Sequence, residues 1–184
     1  MALTPSTMLA LGTIAPDFVL PDTVTKQDMA LQALKSDMAT VIMFICNHCP
    51  YVKHISHELA NLARDYQAKG VSFIAISSND VENHPDDAPD KMKQTARDWG
   101  LSFPYLYDET QEIAKAYQAA CTPDFYIFDA KLRCVYRGQL DNSRPNTDIP
   151  VTGKDLRAAL NATLAGEPIN PEQKPSMGCN IKWK

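Results

Sequence analysis

Thr40 to Pro50 reads TVIMFICNHCP, and this stretch decides the fold. Its first part, Thr40 to Ile45, is a continuous apolar run of strand length, of the kind that suits a central strand buried on both faces. Pro50 follows the Cys-Asn-His-Cys turn, well placed for the first turn of a helix, where its missing N–H costs nothing. The next apolar positions are Tyr51, Val52, Ile55, Leu59, Leu62 and Tyr66, a stripe of 3.6-residue period that Gly70 ends. Val71 to Ser77 (VSFIAIS) reads as a second buried strand. Strand, helix and strand fit into about 38 residues, the size of a parallel βαβ unit.

Working outward, Thr13 to Asp22 is short, β-leaning and bounded by Pro16 and Pro21, which predicts an edge hairpin or extended arm. Asn79 to Pro89 is polar with two prolines and reads as a loop. Asp90 to Trp99 reads as a helix capped by Asp90, and Glu109 to Ala120 as another. Trp99 and the apolar residues of Phe103 to Tyr107 read as core. Phe125 to Phe128 and Cys134 to Arg137 pair as an antiparallel hairpin. Asp155 to Leu164 is a last amphipathic helix before Gly166. From there the chain is Pro-rich and polar, a tail expected to run over the surface without regular structure. The order gives an α/β sandwich, a mixed sheet with helices on both faces.

The 184 residues, 45% apolar and 22% charged with a net charge of −4, fit one globular unit over 1–184 rather than a disordered chain. No Lys/Arg block points to nucleic acid, and no apolar run approaches the ~20 residues of a membrane span. Met1 to Met8 has neither a cationic nor an apolar leader segment, which argues against a secretory signal. The five cysteines are odd in number and scattered, not a disulfide framework, so free thiols in a reducing cytoplasm are expected.

Three of the four histidines and two of the five cysteines lie between Cys46 and His57. Cys46-Asn47-His48-Cys49 sits where a buried strand hands over to a helix. A helix N-terminus carries partial positive charge and unpaired N–H groups, so it favours a thiolate. Cys46 is expected at the exposed end of the turn as the attacking thiolate, with Cys49 one turn on to close a disulfide. His48 as an imidazolium lowers the thiol pKa further. The bland alternative, two cysteines packing as small hydrophobes, sits badly with Asn47 and His48 as company. Thr122-Pro123 stands just before a strand. By position alone it reads equally as a trans proline, but with the Cys-x-x-Cys upstream the reading favours cis, leaving the preceding backbone free to pair with an incoming chain.

These residues resemble the thioredoxin superfamily, and within it the peroxiredoxin-like alkyl hydroperoxide reductase/thiol-specific antioxidant family. Gly12 to Asp22 looks like that family's arm, Thr40 to Pro50 like its active-site strand and turn, and Cys121 to Asp129 like the strand opposite. The resemblance implies a thioredoxin fold, a three-layer α/β/α sandwich. Its N-terminal β arm would cover about residues 1–35, the redox core about 36–166, and a C-terminal extension about 167–184. It also implies thiol–disulfide chemistry with no cofactor. Departures shape the mechanism. Aligning the family's peroxidatic Cys-Pro with Cys49-Pro50 puts Ile42 at its proline and Cys46 at its threonine, and its arginine falls near Pro123. A thioredoxin would have Trp at Ile45 and a buried Asp at Thr40, so the general base is unassigned, with His48 or water as candidates.

Cys121, beside Thr122, and Cys179, on the tail, are candidate extra redox thiols, each with a bland reading as a buried or incidental residue. Cys134 reads as core. His54 lies ~7.5 Å along the helix axis from Cys49, too far to share a metal with it, and reads with His57 as a solvated face near Glu58. The expected function is a thiol–disulfide oxidoreductase in redox homeostasis. Cys46 and Cys49 would be catalytic, and Asn47, His48, Thr122 and Pro123 supporting. Alternatives are a slow thiol peroxidase and a copper or zinc binder using Cys46, Cys49 and Cys121, although no metal site is assigned. Partners would be protein or small-molecule disulfides or peroxides and an upstream thiol reductant, with neither nucleic acid nor membrane. Exposed sheet edges also allow a homodimer.

Overall fold

Six consecutive buried residues, Ala39–Phe44, run through the middle of the molecule, and the rest is built against them. The computed structural model describes residues 3–184, so Met1 and Ala2, where the leader reading begins, lie outside it. In chain order the strands are β1 (Leu3–Pro5), β2 (Val19–Pro21), β3 (Asp28–Ala30), β4 (Ala39–Phe44), β5 (Val71–Ser77), β6 (Tyr105–Tyr107), β7 (Cys121–Thr122), β8 (Asp124–Asp129), β9 (Cys134–Gly138) and β10 (Met177–Asn180). The helices are α1 (Leu31–Leu34), α2 (Pro50–Gln67), α3 (Pro89–Asp98), α4 (Glu112–Ala116) and α5 (Lys154–Ala165), with a single 3₁₀ turn at Pro85–Asp87.

The main sheet has the order β6-β5-β4-β8-β9. β5 runs parallel to β4 and to β6, while β8 is antiparallel to both β4 and β9. Alternate residues of β4 face opposite ways, as a pleated strand requires. Val41 and Met43 join a core with Val52, Ile55 and Leu59 of α2 and Leu156 and Leu160 of α5. Ile42 and Phe44 join a second core with Phe18, Leu31, Tyr117 and Tyr126, roofed by the arm, α1 and α4. The sheet is therefore covered on both faces, giving the three-layer mixed α/β sandwich expected. No helix among the described residues is long and apolar enough to cross a membrane.

Several elements differ from the sequence reading. The helix expected over Glu109 to Ala120 shrinks to α4, bounded by left-handed Gln111 (φ 65°) and Gln118 (φ 54°). Gln111 is pulled out because its buried amide donates to Ser78 O (2.7 Å) and Lys182 O (2.8 Å), fastening the tail. Asp90 does not cap α3; Pro89 takes the first helical position and Ala88 the cap. Glu58, read as part of a solvated face, pairs with Arg157 of α5 (2.7 Å).

The largest correction is the tail, which was expected to be irregular surface chain. Its last part is β10, the central strand of a three-stranded antiparallel sheet ordered β1-β10-β7. The prolines at 168, 171 and 175 precede this strand rather than interrupt it. Gly178 lets its backbone lie directly against the Thr122 carbonyl and Pro123; any Cβ there would overlap them. Ile181 is buried in the second core, and Lys182 N–H donates to Asn79 Oδ1 (2.9 Å).

Asp124 of β8 helps anchor this secondary sheet. Its Oδ2 accepts from Ser6 Oγ (3.1 Å) and Tyr126 OH (2.9 Å), while Oδ1 has no partner. Burial pushes the carboxyl up to about 7, against the pull of those donors. An unfolded Asp titrates near ~3.9, so in between the folded chain holds a proton that the unfolded chain has lost. The stabilisation is complete below the unfolded pKa and is lost as pH rises through the folded one. Thermal melts of the wild type and Asp124→Asn between pH 4 and 8 should show the wild type losing a few kcal/mol relative to the variant over this window. Parallel curves contradict the assignment.

Candidate active site

The Cys-Asn-His-Cys turn leaves the end of β4 and enters α2 with Cys49 as its N-cap and Pro50 in the first turn. The peptide facing it, Thr122-Pro123, is cis, as the sequence reading favoured. Cys46 Sγ lies 3.3 Å from Thr122 Oγ1, and Cys49 Sγ lies 3.3 Å from the Thr122 carbonyl oxygen. Cys179, brought in by β10, places its sulfur 2.7 Å from that of Cys49. All five cysteines are free thiols.

Burial corrects two expectations. Cys46 was placed at an exposed end of the turn, but it is only 1% exposed, with Cys49 at 0% and Cys179 at 3%. Strand β10 and the Pro85–Asp87 turn account for the cover, and neither was legible. Cys179 sits in a strand rather than on an irregular tail.

The three sulfurs share charge unequally. Cys49 is held far below the ordinary thiol range because it accepts from Cys179 first and Cys46 second, helped by the Val52 amide at the start of α2; burial opposes this. Cys46 is pushed up, chiefly because it donates to Cys49, then by burial and by the Asp87 charge, with the Thr122 hydroxyl pulling the other way. Cys179 is likewise pushed up, first by donating to Cys49 and then by burial. A neutral Cys49 could donate to the Thr122 carbonyl; once ionised it takes hydrogen bonds from both flanking thiols. The best place for one negative charge is therefore Cys49 rather than Cys46.

Asp87, which the sequence reading missed, organises the turn. It is fully buried. One oxygen accepts from the Asn47 amide (2.8 Å) and the His48 amide (3.2 Å). The other is 2.5 Å from His48 Nδ1 and accepts from Asn79 Nδ2 (2.7 Å). Asn47 braces the same turn, donating to Asp86 O (2.9 Å) and accepting from Tyr105 OH (3.0 Å). His48 stacks on His84 (5.8 Å between rings), and its side chain, 18% exposed, is the part of the motif that meets solvent. Thr40, at the position of a thioredoxin's buried Asp, accepts from the Ser36 amide (3.0 Å), so the carboxylate that reaches this turn comes from the loop after β5 instead.

The remaining candidates separate. Cys121 is buried with its sulfur 3.8 Å from Pro123 O, and burial pushes its thiol well up. Cys134 is core, pushed up to about 11 by burial. His57 is exposed, as expected, but His54 is half-buried beside Pro123 and Arg144, with a partnerless Nε2, rather than on a solvated face. Among the described residues the metal-type donors that converge are Cys46, His48 and Asp87, all within 4.8 Å of one another, not the Cys46, Cys49, Cys121 set. The Asp87 oxygens are already taken by four donors, so a cation there would have to displace His48.

A family model described as AhpC/TSA matches residues 11–137, most of the chain. The chain belongs to the AhpC/TSA family. Among solved structures, an uncharacterised conserved protein from Geobacillus kaustophilus is 62% identical, covering 100% of this chain and 97% of that one, with a TM-score of 0.98. A hypothetical protein from Sinorhizobium meliloti 1021 is 45% identical over 98% of each chain, with a TM-score of 0.95. A secreted disulfide oxidoreductase of Mycobacterium tuberculosis, 16% identical over 79% of this chain and 95% of that one, shares the fold with a TM-score of 0.61. No curated protein matches the sequence significantly. Family and fold support a thioredoxin-like redox function.

Because the Asp87 charge raises the Cys46 thiol, Asp87→Asn should move the pH profile of Cys46 alkylation to lower pH, read by mass spectrometry of the Cys46 peptide. An unmoved or basic-shifted profile contradicts the role given to Asp87.

Proposed function

We propose that the chain is a thiol–disulfide oxidoreductase whose working couple is Cys46 and Cys49. The observation that carries this is the convergence of both sulfurs on Thr122, each at 3.3 Å, with the charge favoured on the sulfur at the start of α2. In the resting dithiol the charge is favoured on Cys49 and Cys46 holds its proton, so Cys49 is too weak a base to take it. Cys46 gives its proton to water on the His48 side as its sulfur attacks one sulfur of a substrate disulfide. That S–S bond breaks, and the leaving thiolate takes up a proton from water. Cys49 then attacks the Cys46 sulfur of the mixed disulfide, closing a Cys46–Cys49 bond and expelling the second thiolate. Two cysteines are oxidised and one disulfide is reduced to two thiols.

Cys46 takes the attacking role because it adjoins His48, the solvent-facing member of the motif. The reading calls for a thiol reductant to return the couple to its dithiol form, and it suits a reducing, cytoplasmic setting. A small substrate disulfide is favoured, because the Thr122 edge expected to receive a partner chain already pairs with β10.

Turnover of a small disulfide such as oxidised glutathione, driven by dithiothreitol, tests the reading. Cys46→Ser and Cys49→Ser should each lower turnover about 100-fold or more, since loss of either the attacking or the resolving sulfur removes a step. Full dithiol turnover by Cys46→Ser would sink it.

A further inference from the structure

A cis-proline edge beside a dithiol is a place where an extended segment can add itself as a strand and present a thiol to the site. Here the chain's own β10 lies on that edge. Cys179 stands opposite Thr122 and Asn180 opposite Cys121 in antiparallel register, and Gly178 permits the close approach. The Cys49 sulfur is thus flanked by two thiols, Cys46 on its own turn and Cys179 on the added strand. The Cys49 and Cys179 sulfurs, 2.7 Å apart, need to close by only about 0.7 Å to reach disulfide length. Burial at 3% exposure and backbone pairing on both sides of β10 hold Cys179 in this position.

Resting on the dithiol reading above, we propose that β10 is an internal acceptor: Cys179 takes over the Cys46–Cys49 disulfide and leaves a Cys49–Cys179 bond. The step is an exchange. The Cys179 thiol gives up its proton as its sulfur bonds to Cys49, the Cys46–Cys49 bond breaks, and Cys46 leaves as a thiolate that takes up that proton. One disulfide replaces another, so no oxidant is consumed beyond the one that formed the first bond. The product ties the C-terminal strand to the start of α2, stores the oxidised bond beneath it and returns Cys46 to the thiol form.

The test is a disulfide map of the full-length protein oxidised with diamide, trapped with N-ethylmaleimide at low pH, digested and read by mass spectrometry. The expected map has a Cys49–Cys179 peptide pair and an alkylated Cys46. In Cys46→Ser, sampled over time, the Cys49–Cys179 bond should form far more slowly than in the wild type, because the disulfide it is passed from cannot form, and in Cys179→Ser the disulfide should stop at Cys46–Cys49. A wild type whose sole intramolecular bond is Cys46–Cys49, with Cys179 alkylated, overturns the relay and leaves the dithiol reading standing. So does a Cys46→Ser variant that forms the Cys49–Cys179 bond as fast as the wild type. The map reads bonds rather than turnover, so it fails separately from the exchange assay.

Discussion

The Cys49 sulfur sits where a helix begins, between two other sulfurs and away from water, and the surrounding structure serves to make a charge tolerable there. An isolated buried anion would cost many kcal/mol unless paired or hydrogen-bonded. The start of α2 supplies amide dipoles, and Cys46 and Cys179 supply thiol donors. Each donor needs its own scaffold. Cys46 is placed by the end of β4, the most buried strand of the sheet, and Cys179 by a strand that pairs with both β1 and the edge before Pro123. The C-terminal strand, held on one side by β1, and the central βαβ unit therefore meet at Cys49.

A second constraint shapes the other side of the turn. Asp87 places a buried carboxyl against His48 and the two amides before it, which fixes the turn and raises the Cys46 thiol. Electrostatics then push apart the acidities of two thiols that look equivalent in the sequence. The carboxylate at this turn thus comes from the loop after β5, while Thr40 in the sheet accepts from the Ser36 amide.

How much of this was legible depends on the range of the forces involved. Residues 40–77 were read almost to the residue, because an apolar run, a 3.6-residue stripe, Pro50 and Gly70 are local signals that agree with one another. The β8–β9 hairpin and α5 were found for the same reason. β10 was not, because four residues reading MGCN carry no β pattern; their strand exists only because Gly178 fits the Thr122 carbonyl. Asp87 was invisible too, since one acidic residue of the Asp86-Asp87 pair in a polar loop is buried and nothing local says which. Cys46 and Cys49 were picked out, but their relative acidities depend on Cys179, 130 residues away.

Which sulfur carries the charge decides how the site works. Carbon-13 NMR of the cysteine Cβ atoms, followed from pH 4 to 9 in the fully reduced protein, reads this directly. The prediction is a thiolate shift at Cys49 across neutral pH with Cys46 and Cys179 at thiol values. A thiolate at Cys46 with Cys49 protonated would contradict it.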